Sequence, residues 1–260
     1  MLVKTKKPAG LQSGFTLIEL MISISIGVIL LLAATGMVVS TAESRRAVKH
    51  TAALQDESFF VSHVLKQQLA QAGYRPLTPA TGVSRSIPIA SRFDHFPAVS
   101  GVWQDGQLIR ATANSLTYRF DGASRPDGTP DGSIFDCLGN AIPAGTIVES
   151  TISHIDDRLV CTVGANSAAL MGGSTDTRVE QMMITLGIDN NGDGEIDNSV
   201  DSSLATVADF QNTINLTLRV LLASRNNVIK HNQSYYFNGA TTATDHRLRT
   251  ESVVSIGLRH

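Results

Sequence analysis

KTKKPAGLQSGFTLIELMISISIGVILLL, residues 4–32, decides how this chain is built. From Phe15 to Ser40 the sequence runs 26 residues with a single charge, Glu19. A helix rises about 1.5 Å per residue, so a run of this length crosses a hydrocarbon core about 30 Å thick. A carboxylate held inside such a run costs at least about 2.5 kcal/mol, which marks it as functional unless it snorkels to the interface or is protonated. Lys4, Lys6 and Lys7 precede the run. By the positive-inside rule they keep the N-terminus in the cytoplasm and send the rest of the chain across the membrane.

Working outward, no proline interrupts the sequence until Pro76, and residues 15 to about 72 read as one helix. Such a rod is roughly 87 Å long, more than a compact domain of this size needs. Beyond the apolar run the pattern turns amphipathic: Val61, Leu65 and Leu69 share a stripe, with Phe60 and Val64 beside it. Gly73 is a natural stop ahead of Pro76. Leu77 to Ser86 reads as a linker. The remainder alternates with period two. The expected strands are Ser115–Phe120, Thr146–Ile155, Leu159–Val163 after an Asp156-Asp157 turn, Met182–Ile188, Ile214–Leu222 and Ser252–Leu258. The fold class is α+β: a long N-terminal helix, transmembrane in its first half, packed on an antiparallel β-sheet.

Composition narrows the function. Formal charge is −2, and with the three leader lysines set aside 18 basic residues face 23 acidic ones. A dedicated nucleic-acid binder is usually basic, so no direct nucleic-acid binding is expected. The seven histidines form neither HxxxH nor HExxH, and no GxSxG or GxxxxGK[ST] occurs; nothing points to an enzyme. Arg45-Arg46 reads as a solvated turn or headgroup contact, Trp103 and Tyr235-Tyr236 as packing residues, and Arg247 and Arg249 as strand-face charges. Cys137 and Cys161 both lie beyond the membrane run, in a compartment that permits disulfides. A bridge between them would contribute about 3 kcal/mol; the alternatives are two free buried thiols or, without CxxC spacing, a less favoured metal site.

Asp189-Asn-Asn-Gly-Asp-Gly-Glu-Ile-Asp197 supports two readings. Asp189, Asn191, Asp193 and Asp197 occupy positions 1, 3, 5 and 9 of an EF-hand-type calcium loop, with Gly194 at the turn and Glu195 at the carbonyl position. Position 12 is Val200, so closure would fall to Asp201, one residue late, or to another segment. A strand rather than a helix precedes the loop. The other reading is a polar hairpin loop whose Asn-Gly and Asp-Gly pairs supply turn geometry.

The string GFTLIEL, Gly14 to Leu20, resembles the class III signal of type IV pilins and pseudopilins. That resemblance implies cleavage by prepilin peptidase between Gly14 and Phe15, N-methylation of Phe15, and a role for Glu19 in assembly. It divides the chain into a leader (1–14), a transmembrane helix (15–40), an amphipathic continuation (41–75) and a β-rich periplasmic or extracellular head (76–260). After cleavage the Phe15 amine is positive, and a neighbouring subunit's amine could neutralise Glu19 as helices pack into a filament. Major pilins commonly carry a proline where Gly36 stands, so no sharp kink is expected here. Within the family, Leu69-Ala-Gln-Ala-Gly-Tyr74, Asp136-Cys-Leu-Gly139 with Leu159-Val-Cys161, and Arg178-Val-Glu180 leading to Gly187-Ile-Asp189 are similar to PilW-type minor pilins. The implied partners are the major pilin and other minor pilins, the peptidase, the pilus assembly platform and the membrane. The implied location is the inner membrane in a single pass, then the pilus or cell surface, with roles in priming or capping assembly for twitching, adhesion or DNA uptake. The competing expectations are a J-type pseudopilin of a type II secretion system and a pilus-borne, calcium-dependent adhesin module.

Overall fold

The structure, a computed structural model, describes residues 16–76, 92–172 and 176–258. Gly14 and Phe15, the expected cleavage site, and the linker Leu77–Ser86 lie outside the described residues. The chain divides into two units at Val48/Lys49. Helix α1, Leu17–Leu69, runs through that point.

In the first unit α1 is helical through Gly27 and Gly36, as the lack of a proline requires. Its apolar side chains, Leu17, Ile22, Leu31 and Met37 among them, are exposed on every side. The hydroxyls of Ser23, Ser25, Thr35 and Thr41 donate to the carbonyls of Glu19, Met21, Leu31 and Met37, four residues back, at 2.7–3.0 Å. Each of these four hydroxyls is thus satisfied within the helix, as a bilayer favours.

In the second unit the rest of α1 buries Leu54, Val61, Leu65 and Leu69, the expected stripe with one residue added upstream. Gly73 adopts φ +74°, a backbone glycine tolerates, and ends the helical stretch. Beyond it the chain pairs with a strand: Gly73 N–H donates to Arg119 O at 2.9 Å and Asp121 N–H to Tyr74 O at 2.8 Å. Buried Gln68 and Gln71 add polar ties, accepting from Tyr118 Oη at 3.1 Å and from the Phe135 amide at 3.0 Å.

After the short helix α2, Arg92–His95, five strands form an antiparallel meander: β1 Ile109–Ala111, β2 Ser115–Phe120, β3 Val148–Ile155, β4 Arg158–Val163 and β5 Asn166–Gly172. Asp156 and Asp157 link β3 to β4 with φ of 47° and 64°, the two left-handed positions of a tight hairpin turn. A second sheet follows, in the order β11-β8-β6-β7. It contains β6 Thr177–Ile188, β7 Asn198–Asp201, β8 Thr213–Ser224 and β11 Arg249–Gly257, all antiparallel, with α3 (Val207–Gln211) leading into β8. A ribbon of β9 Tyr236–Phe237 and β10 Ala240–Thr241 sits in the β8–β11 connection. The single sheet expected from the alternation is therefore two sheets and a ribbon. Alternation gives the face of a strand but not its sheet.

One core joins the second half of α1 to both sheets. The helical stripe meets period-two faces: Val61, Leu65 and Leu69 share the core with Leu116, Tyr118, Ile152 and Leu159 of the first sheet and Ile184, Leu216, Leu218 and Val220 of the second.

Candidate functional site

At the start of α1, Thr16 and Glu19 form a closed unit. Thr16 N–H donates to Glu19 Oε2 at 2.9 Å and Thr16 Oγ1 donates to the same oxygen at 2.8 Å. Glu19 N–H donates back to Thr16 Oγ1 at 3.3 Å. This is a capping box, which ties down amide donors that a helix start otherwise leaves bare. In sequence, Glu19 follows closely on the Gly14-Phe15 pair. Thr16 went unremarked in the sequence, although Thr-x-x-Glu is the spacing that signals it.

Cys137 and Cys161 are bonded as a disulfide, Cα to Cα 5.9 Å, fastening the 121–147 connection to β4. The Asp-led turns of that connection satisfy their own carboxylates. Asp127 accepts from Thr129, Asp131 from Ser133, and Asp136 from the amides of Leu138 and Asn140 at 2.9 and 2.8 Å. The side-chain bonds from Thr129 and Ser133 hold the Asp127 and Asp131 carboxyls below the ordinary range. Gly122 is required by close approach: a Cβ there would stand 2.2 Å from the Ile142 carbonyl oxygen.

The Asp189–Asp197 string is the β6–β7 hairpin loop, with Ile188 opposite Asn198. Asp189 accepts from the Gly192 amide at 2.6 Å, from Gly194 at 2.9 Å and from Asn191 at 3.2 Å. The Gly194 amide foremost, then those of Gly192 and Asn191, outweighs burial and lowers the Asp189 pKa. Asp193 accepts from the Glu195 amide at 2.8 Å, and Asp197 from the Asn190 amide at 2.7 Å. The Asn191 side-chain amide lies 3.0 Å from Asp193 and 3.5 Å from Asp197, so an N–H group stands between carboxylates that an ion would draw together. Asp201 is not brought to the loop. It pairs with Thr185 inside β7, and its carboxylate accepts from the Ser203 amide and hydroxyl. Among the described residues no three His, Cys, Asp or Glu side chains form a group that could hold a metal ion. The donor set matches calcium in kind, and the hydrogen bonds it makes here are those of a turn.

Two expectations for the body are corrected. Arg247 lies ahead of β11 rather than on it, while Arg249 stands on the strand as expected but with its side chain covered: its guanidinium reaches Glu180 Oε2 at 2.6 Å and Asp245 Oδ2 at 2.7 Å. Arg178 also donates to Glu180, and Arg247 lies 3.6 Å from it. Glu180 is the extra residue of a β-bulge, where the β6–β8 register shifts between Val179 and Gln181. A bulge re-aims a side chain in this way, and alternation cannot reveal one. Burial works to raise the Glu180 pKa, but the bonds from Arg249 and Arg178 prevail and lower it. The Arg249 bond takes Asp245 down to about 2. Tyr236, expected as packing, is exposed at the ribbon, whereas Trp103 is buried as expected. Trp103 lies 4.3 Å from the guanidinium of buried Arg119, which donates to the Gln107 and Pro97 carbonyls at 3.0 Å.

Residues 11–35 match the family described as the prokaryotic N-terminal methylation motif. No curated protein matches the chain. Among solved structures it is similar to a type IV-like pilin from Thermus thermophilus, with 15% identity and a TM-score of 0.44 over 79% of this chain and 95% of that one. The methylation motif overlaps the start of an apolar helix long enough to cross a bilayer and unburied over its most apolar stretch.

Proposed function

We propose that this chain is a PilW-type minor pilin of the type IV pilus, a structural subunit that primes or caps filament assembly. It enters the inner membrane in a single pass with its lysines in the cytoplasm and residues 76–260 in the periplasm. The peptidase cuts between Gly14 and Phe15, and Phe15 is N-methylated. Glu19 then meets the freed amine of an adjoining subunit as the helix leaves the bilayer for the filament. The observation that carries this reading is the exposed apolar half of α1 with its one carboxylate, inside a methylation motif. Two charges that are each costly in lipid become less so when paired, which gives docking a direction and a register. The Cys137–Cys161 bridge in the body is consistent with an oxidising compartment beyond the membrane.

The test is Glu19→Ala in the producing cells. Gly14–Phe15 cleavage is expected to persist while the subunit is lost from sheared filaments and pilus number falls. Normal incorporation of the variant would sink the assembly role. Intact pili together with failed enzyme export would move the chain to the J-type pseudopilins of a secretion system.

A further inference from the structure

We infer that Thr16 is a positioning residue for Glu19, holding the assembly carboxylate in a fixed pose in the free subunit; the inference rests on the proposed role of Glu19. The argument starts from the oxygens. Oε2 accepts two hydrogen bonds from Thr16, at 2.9 and 2.8 Å, while Oε1 has no hydrogen bond among the described residues. The side chain is therefore folded back over the first turn, with one oxygen committed and the other open. The backbone contributes too, because the Glu19 amide returns a bond to Thr16 Oγ1 and fixes both ends of the unit.

Two consequences follow. A carboxylate that keeps two donors of its own enters the hydrocarbon less exposed than one with none, since burying a charge is tolerable only when it is hydrogen-bonded. The open oxygen is also presented at the amino-terminal end of the helix, where a neighbour's cationic terminus can reach it without first displacing a bond. Preorganisation of this kind lowers the entropy lost on association. The threonine hydroxyl is the part that matters: it is donor to the carboxylate and acceptor from the Glu19 amide at once. Serine can replace it; valine, of nearly the same shape, cannot.

The experiment compares Thr16→Val, Thr16→Ser, Glu19→Ala and the Thr16→Val/Glu19→Ala double variant in the full chain, in the producing cells. The readout is the fraction of processed subunit recovered in sheared filaments. Thr16→Val is expected to lower that fraction about tenfold, the effect of losing one hydrogen bond to a charged group. Thr16→Ser should restore it, and the double variant should be no worse than Glu19→Ala alone. Wild-type incorporation of Thr16→Val beside a failed Glu19→Ala would overturn the inference and leave the proposed function standing. Normal incorporation of Glu19→Ala would remove both. Failure of serine to rescue would assign Thr16 to packing and overturn the inference. A second readout is independent of cleavage. In the uncut chain in detergent micelles, hydrogen exchange at the Glu19 amide should be faster in Thr16→Val and restored in Thr16→Ser, and equal rates would overturn the pose.

Discussion

The two halves of α1 are made of the same apolar residue types and behave oppositely. In the first half Leu17, Leu31 and Met37 stand exposed; in the second, Leu54, Val61, Leu65 and Leu69 are at most 3% exposed. Propensity cannot account for the contrast, because both halves are helical. What differs is where the apolar side chains find a non-aqueous neighbour. The second half concentrates its buried ones on one stripe and is mostly polar elsewhere, Phe59 and Phe60 excepted, so a sheet suffices to cover the stripe. The first half is apolar all round, and only a solvent of the same character covers every face. Charge follows the same division. Glu19 stands alone in its run and takes its bonds from one residue three positions away, whereas Glu180 is held by arginines gathered from β6, from β11 and from the β8–β11 connection.

The sharpest way to break this comparison is to make the same substitution in each half. Leu69→Ala removes a fully buried side chain and should destabilise the body by about 2–5 kcal/mol. Leu31→Ala removes an exposed one and should leave the body within about 0.5 kcal/mol of wild type. Denaturant titration of the full chain in detergent, followed by the fluorescence of buried Trp103, reads the body alone. An equal cost for both would mean that the first half is not independent of the body's core.

A smaller effect is expected at the disulfide, which acts on the second unit only. Cys137→Ala with Cys161→Ala opens a closure between residues 24 apart and should cost about 3 kcal/mol. The same titration checks it, and a reductant added to the wild-type chain should reproduce the shift. Processing at Gly14–Phe15 should be untouched, because that site belongs to the other unit. A midpoint that does not move would show that the Asp-capped turns hold the 121–147 connection without the bridge.

Much of this division is legible in the residues. The helix, its buried stripe, its glycine stop and most of the main strands are periodicity and punctuation, and the structure follows them closely. Strands β1 and β7 escape because three and four residues are too short to show a period. Strand β5, Asn166–Gly172, escapes because its first four residues are exposed on both faces and so do not alternate. The arginine cluster is illegible for another reason. Glu180, Asp245 and Arg249 are brought together by a bulge and a long connection, and neither has a signature in spacing. At the candidate site, the carboxylate was plain and its threonine partner was not, because an apolar run draws attention to its one charge and away from its neighbours.

The smallest expected effect lies at the β6–β7 loop, where body chemistry most resembles a binding site. If the loop is a self-satisfied turn, millimolar calcium leaves the thermal midpoint of the body unmoved, whereas a rise abolished by Asp193→Ala would decide for the metal reading. The turn makes its own prediction. The Gly194 and Gly192 amides hold the Asp189 carboxyl below its ordinary range, so the folded form favours the ionised state. That contribution is complete above the unfolded value of about 3.9 and disappears as pH falls through the lowered folded value. Hydrogen exchange at Gly192 and Gly194 should therefore stay slow at neutral pH and become fast in Asp189→Ala, while the global midpoint changes less than it does when the disulfide is removed. Fast exchange already in the wild-type chain would mean that these amides are not held by Asp189, and would free the carboxylate for an ion after all.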